Sequence, residues 1–137
     1  MKLKGILLSG FISGLVIFVV SMAVSVLIQL VSPYDVMALG GMRAKEDPLM
    51  LLFFLYPWVI GFALAVVYQQ VSGALTGTGT QKGVRFGLLM WLLSSLPSAF
   101  IVFTSMDYPP AFTVSSIVSS LIYMPLAGAV AAKLMEK

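Results

Sequence analysis

The chain contains no cysteine and no histidine, and only 9% of its 137 residues are charged. Without cysteine there is no disulfide and no thiolate nucleophile or ligand. Without histidine the commonest general base and metal ligand is also missing, so haem ligation by His or Cys and zinc sites built from them are excluded. The shortage of charge matters as much. A soluble domain carries about 25% charged residues, and this chain has too few to cover a wet surface. Apolar and polar residues do not alternate along it either. The apolar runs continue for about 20 residues, the length of a bilayer crossing.

What charge there is sits at the ends of those runs. The basic residues come in pairs: Lys2 and Lys4, Arg43 and Lys45, Lys82 and Arg85, Lys133 and Lys137. A nucleic-acid binder gathers such residues on one face or in one stretch. Pairs at the ends of apolar segments suit lipid headgroups instead, so the lipid bilayer is the expected partner and nucleic acid is not.

Length and composition describe a single membrane domain over residues 1–137. Four apolar runs, near 5–31, 49–71, 84–104 and 110–132, have no charge in their central parts and predict four transmembrane helices. A central charge costs about 2.5–3.5 kcal/mol, which makes its absence from every run informative. At about 1.5 Å per residue the first run exceeds the ~30 Å hydrocarbon layer and should tilt or project beyond it. Lys2, Lys4 and the Ala23-Val24-Ser25 triplet resemble a signal peptide. The apolar stretch is too long for one and continues past that triplet, so it reads as a retained crossing.

The connections differ in kind. In residues 32–48, Ser32 suits an N-cap, Pro33 a first helical position and Asp35 the acid of a capping box, with Gly40-Gly41 as a stop. This pattern predicts a short interfacial helix near 33–39. Residues 72–83 form a Gly/Thr-rich loop that has neither the GxxxxGK[ST] spacing nor a preceding strand, so no nucleotide is expected there. Residues 105–109 form a tight turn ahead of Pro110.

Four crossings put both termini on one side. With the Gly/Thr loop, that side collects Lys2, Lys4, Lys82, Arg85, Lys133 and Lys137, against Arg43 and Lys45 on the other. The positive-inside bias makes the side with the termini cytoplasmic. The expected fold is therefore all-α, a polytopic bundle of four transmembrane helices in the plasma or inner membrane, with N and C termini cytoplasmic.

Within the membrane, small residues recur at helical spacing. Ser9, Gly10, Ser13 and Gly14 include a literal GxxxG; Gly61 and Ala65, and Gly128 and Ala132, repeat the four-residue step. Small side chains let backbones approach, so these positions are expected to pack helix on helix within the chain, with self-association the sharper alternative for the first group. Ser21, Ser25, Gln29, Ser94, Ser95, Ser98, Ser115, Ser119 and Tyr123 are candidates for a polar lining, although hydroxyls in a helix also bond to their own backbone. Pro57, Pro97 and Pro125 each free a carbonyl one turn earlier and are hinge candidates. Lys82 and Arg85 are expected at lipid headgroups.

No catalytic, metal or cofactor constellation emerges. Only Ser and Tyr could act as nucleophile or acid at depth, and no His, Lys or Asp base accompanies them. The sequence therefore points to a non-enzymatic accessory, assembly or scaffold subunit packing against other membrane proteins. The competing reading is an oligomeric small-solute or lipid transporter or channel. The topology is directly testable. A cysteine placed at Ala38 or Tyr108 should react with an impermeant thiol reagent on intact cells. One at Thr78 should react only after the membrane is opened, and the reverse pattern refutes the orientation.

Overall fold

A computed structural model describes residues 3–136, entirely as helices and short connections without a strand. Lys2 and Lys137, two of the residues used above to orient the chain, lie outside the described residues. The helices are α1 (Leu3–Val31), α2 (Met50–Phe53), α3 (Tyr56–Val71), α4 (Gly79–Met90), α5 (Leu96–Ser105) and α6 (Pro110–Met135). A π turn over Trp91–Ser95 joins α4 to α5 without a break, so Gly79–Ser105 is one rod of 27 residues. Three helices, Leu3–Val31, Gly79–Ser105 and Pro110–Met135, are long and apolar enough to cross a membrane.

The second apolar run is not the continuous helix expected over 49–71. α2 stops after one turn, and Phe54 and Leu55 bond back to Leu51 and Leu52 in tight i→i−3 geometry before α3 begins. Pro57 supplies the reason. It has no N–H to donate and its ring would collide with a carbonyl one turn earlier, so the helix restarts around it. Pro57 opens α3 and is not a kink inside a helix. The other two prolines behave differently from it and from each other. Pro97 follows the π turn, where the Leu96 N–H reaches the Trp91 carbonyl, an i→i−5 bond. α6 runs unbroken through Pro125.

The connection over 32–49 also differs in detail from the expected 33–39 helix. Ser32 does not cap a new helix; its N–H bonds to Ile28 O at 2.8 Å and closes α1. The cap is Asp35, whose carboxylate accepts from the Met37 N–H at 3.0 Å, and the turn it starts is a 3-10 helix of three residues, Val36–Ala38. A carboxylate one residue before the turn satisfies the free N–H more directly than a serine three residues upstream. Asp47 repeats the device by accepting from the Leu49 N–H at 2.9 Å just before α2.

Packing centres on α6. Of its most apolar 18 residues 44% are buried, against 22% for α1 and 17% for the Gly79–Ser105 rod, so α6 is the helix that the others surround. Two glycine seams bring backbones together. On one, a methyl group at Gly61 of α3 would lie 2.5 Å from Gly10 O and 2.6 Å from Gly14 N of α1. On the other, a methyl at Gly87 of α4 would lie 2.5 Å from Pro125 Cα of α6, and Gly83 and Gly128 face each other's carbonyls. Lipid tails are as apolar as leucine, so helices in a bilayer gain from this close contact and not from the hydrophobic effect. Ala65, Ala127, Ala131 and Ala132 are fully buried along the same contacts, and the Ser13 hydroxyl donates to Ala127 O at 3.3 Å.

A side chain at the seam has nowhere to go. Gly83→Leu or Gly87→Leu should lower thermal stability in detergent by about 1–3 kcal/mol or more, the usual range for overpacking. Gly73→Leu is the control, because nothing lies within 4 Å of a Cβ there. Equal losses at all three positions would show that the seam does not set the packing.

Candidate functional site

Ser94, Ser95 and Ser98 surround the π turn and the proline that follows it. The turn inserts one extra residue into the helix, which leaves a gap in the i→i−4 ladder and turns these serines toward α3 and α6. Trp91 secures the turn: its indole N–H donates to the Ser120 hydroxyl of α6 at 3.1 Å. Ser120 in turn donates to Ser116 O at 2.7 Å, and Ser94 donates to Met90 O at 2.6 Å.

Between this turn, α3 and α6 lies a cavity of about 320 Å³. Ile60, Ala63 and Leu64 of α3 wall one side, Met90 and the three serines another, and Ser116, Ser120, Tyr123 and Met124 of α6 the floor. It is open laterally, because α3 and α5 flank α6 without packing closely against each other. Tyr56, 59% exposed, stands at the rim. Among the described residues no charged one lines it.

The polar residues singled out in the sequence fall into three separate groups. Ser94, Ser95, Ser98 and Tyr123 meet at the cavity. Ser115 and Ser119 are buried off it, with Ser119 donating to Ser115 O. Ser21, Ser25 and Gln29 stay on α1, where Gln29 donates to the Ser25 hydroxyl at 3.0 Å. α1 contributes nothing to the cavity wall. Of the small residues, Gly10 lies against the Phe62 ring, Gly14 against Trp58, and Gly61 on the backbone of both glycines. Ser9 is fully buried and its hydroxyl has no partner among the described residues. The sequence reading passed over Gly83 and Gly87. They form a GxxxG whose first glycine falls in the Gly/Thr-rich stretch, and that spacing is the signal available. Tyr56 and Met90 carried no signal, since only the fold brings them to the cavity.

A second polar cluster closes the opposite end of α6. Tyr68 donates to the Glu136 carboxylate at 2.7 Å, and Lys82 Nζ lies 3.1 Å from the same oxygen. Lys82, expected at lipid headgroups, is therefore turned inward with its side chain only 17% exposed, because a carboxylate within reach offers a stronger partner than a mobile headgroup. Arg85 is exposed but also engaged, donating to the Thr76 hydroxyl at 2.8 Å and to Thr76 O at 3.2 Å. A small cavity of about 50 Å³ adjoins the cluster, lined by Tyr68, Gln69, Ser72, Met135 and Glu136, and the buried Gln69 carbonyl oxygen has no partner among the described residues. Among the described residues no three His, Cys, Asp or Glu side chains converge as metal ligands would.

No protein-family model, curated protein or solved structure matches the chain.

The Tyr68 hydroxyl, with Lys82 behind it, holds the Glu136 carboxyl below its ordinary value, although partial burial opposes the shift. A carboxyl with a lower pKa folded than unfolded contributes stability that is complete above the ordinary value and is lost as pH falls through the folded one. Unfolding temperature in detergent should therefore drop on acidification below about pH 4.3, the unperturbed Glu value. Glu136→Gln should remove that part of the profile and cost about 1 kcal/mol or less at neutral pH, as for a pair still partly exposed. An unchanged acid profile in the variant would show that the cluster contributes nothing to stability.

Proposed function

We propose that the chain is a plasma- or inner-membrane protein of four crossings with both termini cytoplasmic, and that it serves as an accessory, assembly or scaffold subunit without catalytic machinery. Two sets of contacts support the fourth crossing, which 50–71 would make. At one end Tyr68 of α3 and Lys82 of α4 both reach Glu136 beyond α6. At the other, Tyr108 donates to Gly40 O at 3.0 Å, joining the 32–49 connection to the turn before α6. A chain that visits these ends in that order supports a crossing between Met50 and Val71. The charge pattern supports the orientation. Arg43 and Lys45, on the outer side, are two against Lys4, Lys82, Arg85 and Lys133 among the described residues.

The observation that carries the accessory reading is the fate of the intramembrane hydroxyls. Ser94, Ser119 and Ser120 direct theirs to carbonyls of their own helices, Ser13 bonds across to α6, and the free hydroxyls of Ser95, Ser98, Ser116 and Tyr123 are confined to one cavity. A solute path needs polar groups that converge on one continuous lining, because an isolated hydroxyl does not replace lost hydration. Here they form separate patches, and among the described residues no Asp, Glu, Lys or Arg lies in the central part of an apolar run to bind an ion or relay a proton. The surfaces left over are apolar and suited to lipid or to the helices of other membrane subunits or a second copy.

The lateral cavity favours the second reading, an oligomeric transporter of a small solute or lipid. Purified protein in liposomes separates the two. The accessory reading expects no specific, saturable flux of ions or small neutral solutes, and expects another membrane polypeptide to co-purify in mild detergent. Saturable flux abolished by Gln29→Leu or Tyr123→Phe would establish transport instead.

A further inference from the structure

Tyr123 lies midway along α6, is only 8% exposed, and directs its side chain into the 320 Å³ cavity. Its hydroxyl has no hydrogen-bond partner among the described residues. Neither have the hydroxyls of Ser95, Ser98 and Ser116 in the same wall, unlike those of Ser94 and Ser120, which are bonded to their own helix. These hydroxyls open on the cavity, and at mid-bilayer depth they have no bulk water to turn to, so leaving them unpaired is costly. The neighbouring Trp91 indole shows that this region can satisfy a deep polar group when the partner is in place.

We infer that the cavity between α3, the π turn and α6 binds a neutral, small-headed lipid that presents a carbonyl oxygen to the Tyr123 hydroxyl. Four properties set the class. The volume lies at the lower end of the range for small-molecule sites, about 300–1,000 Å³, and holds one ring or one glyceride head. The mouth opens between α3 and α5 toward hydrocarbon, so the ligand enters from the bilayer. No charged side chain lines the wall, which leaves a charged headgroup without a partner and excludes it. The free groups are hydroxyls, which can donate to a carbonyl, while Met90, Met124, Ile60 and Leu64 contact the apolar part. Depth excludes ordinary phospholipids, whose ester carbonyls are held near the interface by their headgroups. A diacylglycerol and an isoprenoid benzoquinone both carry a carbonyl on a hydrocarbon tail without that restraint. The inference rests on the membrane-spanning reading alone and holds whether the chain is an accessory subunit or a transporter.

The test uses full-length protein in phosphatidylcholine nanodiscs, with photoreactive analogues of dioctanoylglycerol and of a short-tailed benzoquinone as the two probes. At least one should label α3, the π turn or α6 saturably, and the unlabelled form of that probe should compete; which one does so identifies the source of the carbonyl. Tyr123→Phe, which removes a single oxygen, should weaken binding by about fivefold to tenfold, the loss of one hydrogen bond. Ala63→Trp should fill the cavity and abolish labelling, and Ser98→Ala covers the case in which that variant fails to fold. Phosphatidylglycerol with matched chains should not compete. Labelling by neither probe, labelling indifferent to all three substitutions, or equal competition by the anionic lipid would overturn the inference. So would a cavity found occupied by a helix of a co-purifying polypeptide. Because binding is read on protein already embedded in discs, a negative result bears on the cavity, whereas thiol accessibility bears on the crossings.

Discussion

The approach of α4 onto α6 through Gly83, Gly87 and Gly128 is the contact on which the rest of the arrangement depends. In water, burial of leucines would decide which helices meet; in lipid that preference vanishes, and the helices that can bring backbones closest are favoured. α6 takes α4 on one side by this seam and α1 on another, with Ser13 bonded to Ala127. α1 in turn holds α3 by its own glycine seam. The order of association follows from where the small residues are, and the large apolar residues, Phe11, Leu15, Phe100 and Phe103 among them, are left facing outward.

The cavity is a consequence of the same seam. The Gly79–Ser105 rod lies close to α6 only over α4, where its glycines are. α5 offers Phe100, Ile101 and Phe103, all exposed, and makes much less contact with α6. The π turn and Pro97 come where the rod leaves its partner. An irregular turn there disturbs no packed interface, and its extra residue turns three serines into the space that the divergence opens. Close packing at one end and divergence at the other make a space between helices that would otherwise fill with side chains.

Polar groups in this chain are managed by proximity more than by number. Trp91 and Trp58 are both deep indoles, yet Trp91 reaches Ser120 while the Trp58 N–H is buried without a partner. Lys82, Tyr68 and Glu136 come from three different segments and join at one carboxylate oxygen, tying the end of α3 and the start of α4 to the segment that follows α6.

The sequence by itself determined the class and the broad layout. Charge-free apolar runs of about 20 residues suit helices that keep their backbone bonds within one segment, so helicity and the three long rods were legible from composition and run length. The close contacts at Gly10, Gly14, Gly61 and Gly128 were legible too, because a missing side chain is visible in a sequence and has one main use in a membrane helix. Other features were decided only in three dimensions. Whether Pro57, Pro97 or Pro125 starts a helix, follows a π turn or sits in an unbroken helix depends on what surrounds each, since the residue removes the same donor in all three cases. The pairing of Lys82 with Glu136 joins residues 54 positions apart, and one-dimensional spacing has no term for that. The grouping of Ser94, Ser95, Ser98 and Tyr123 apart from Ser21, Ser25 and Gln29 was likewise invisible, because every serine on a helix looks alike until the neighbouring helix decides which face it meets.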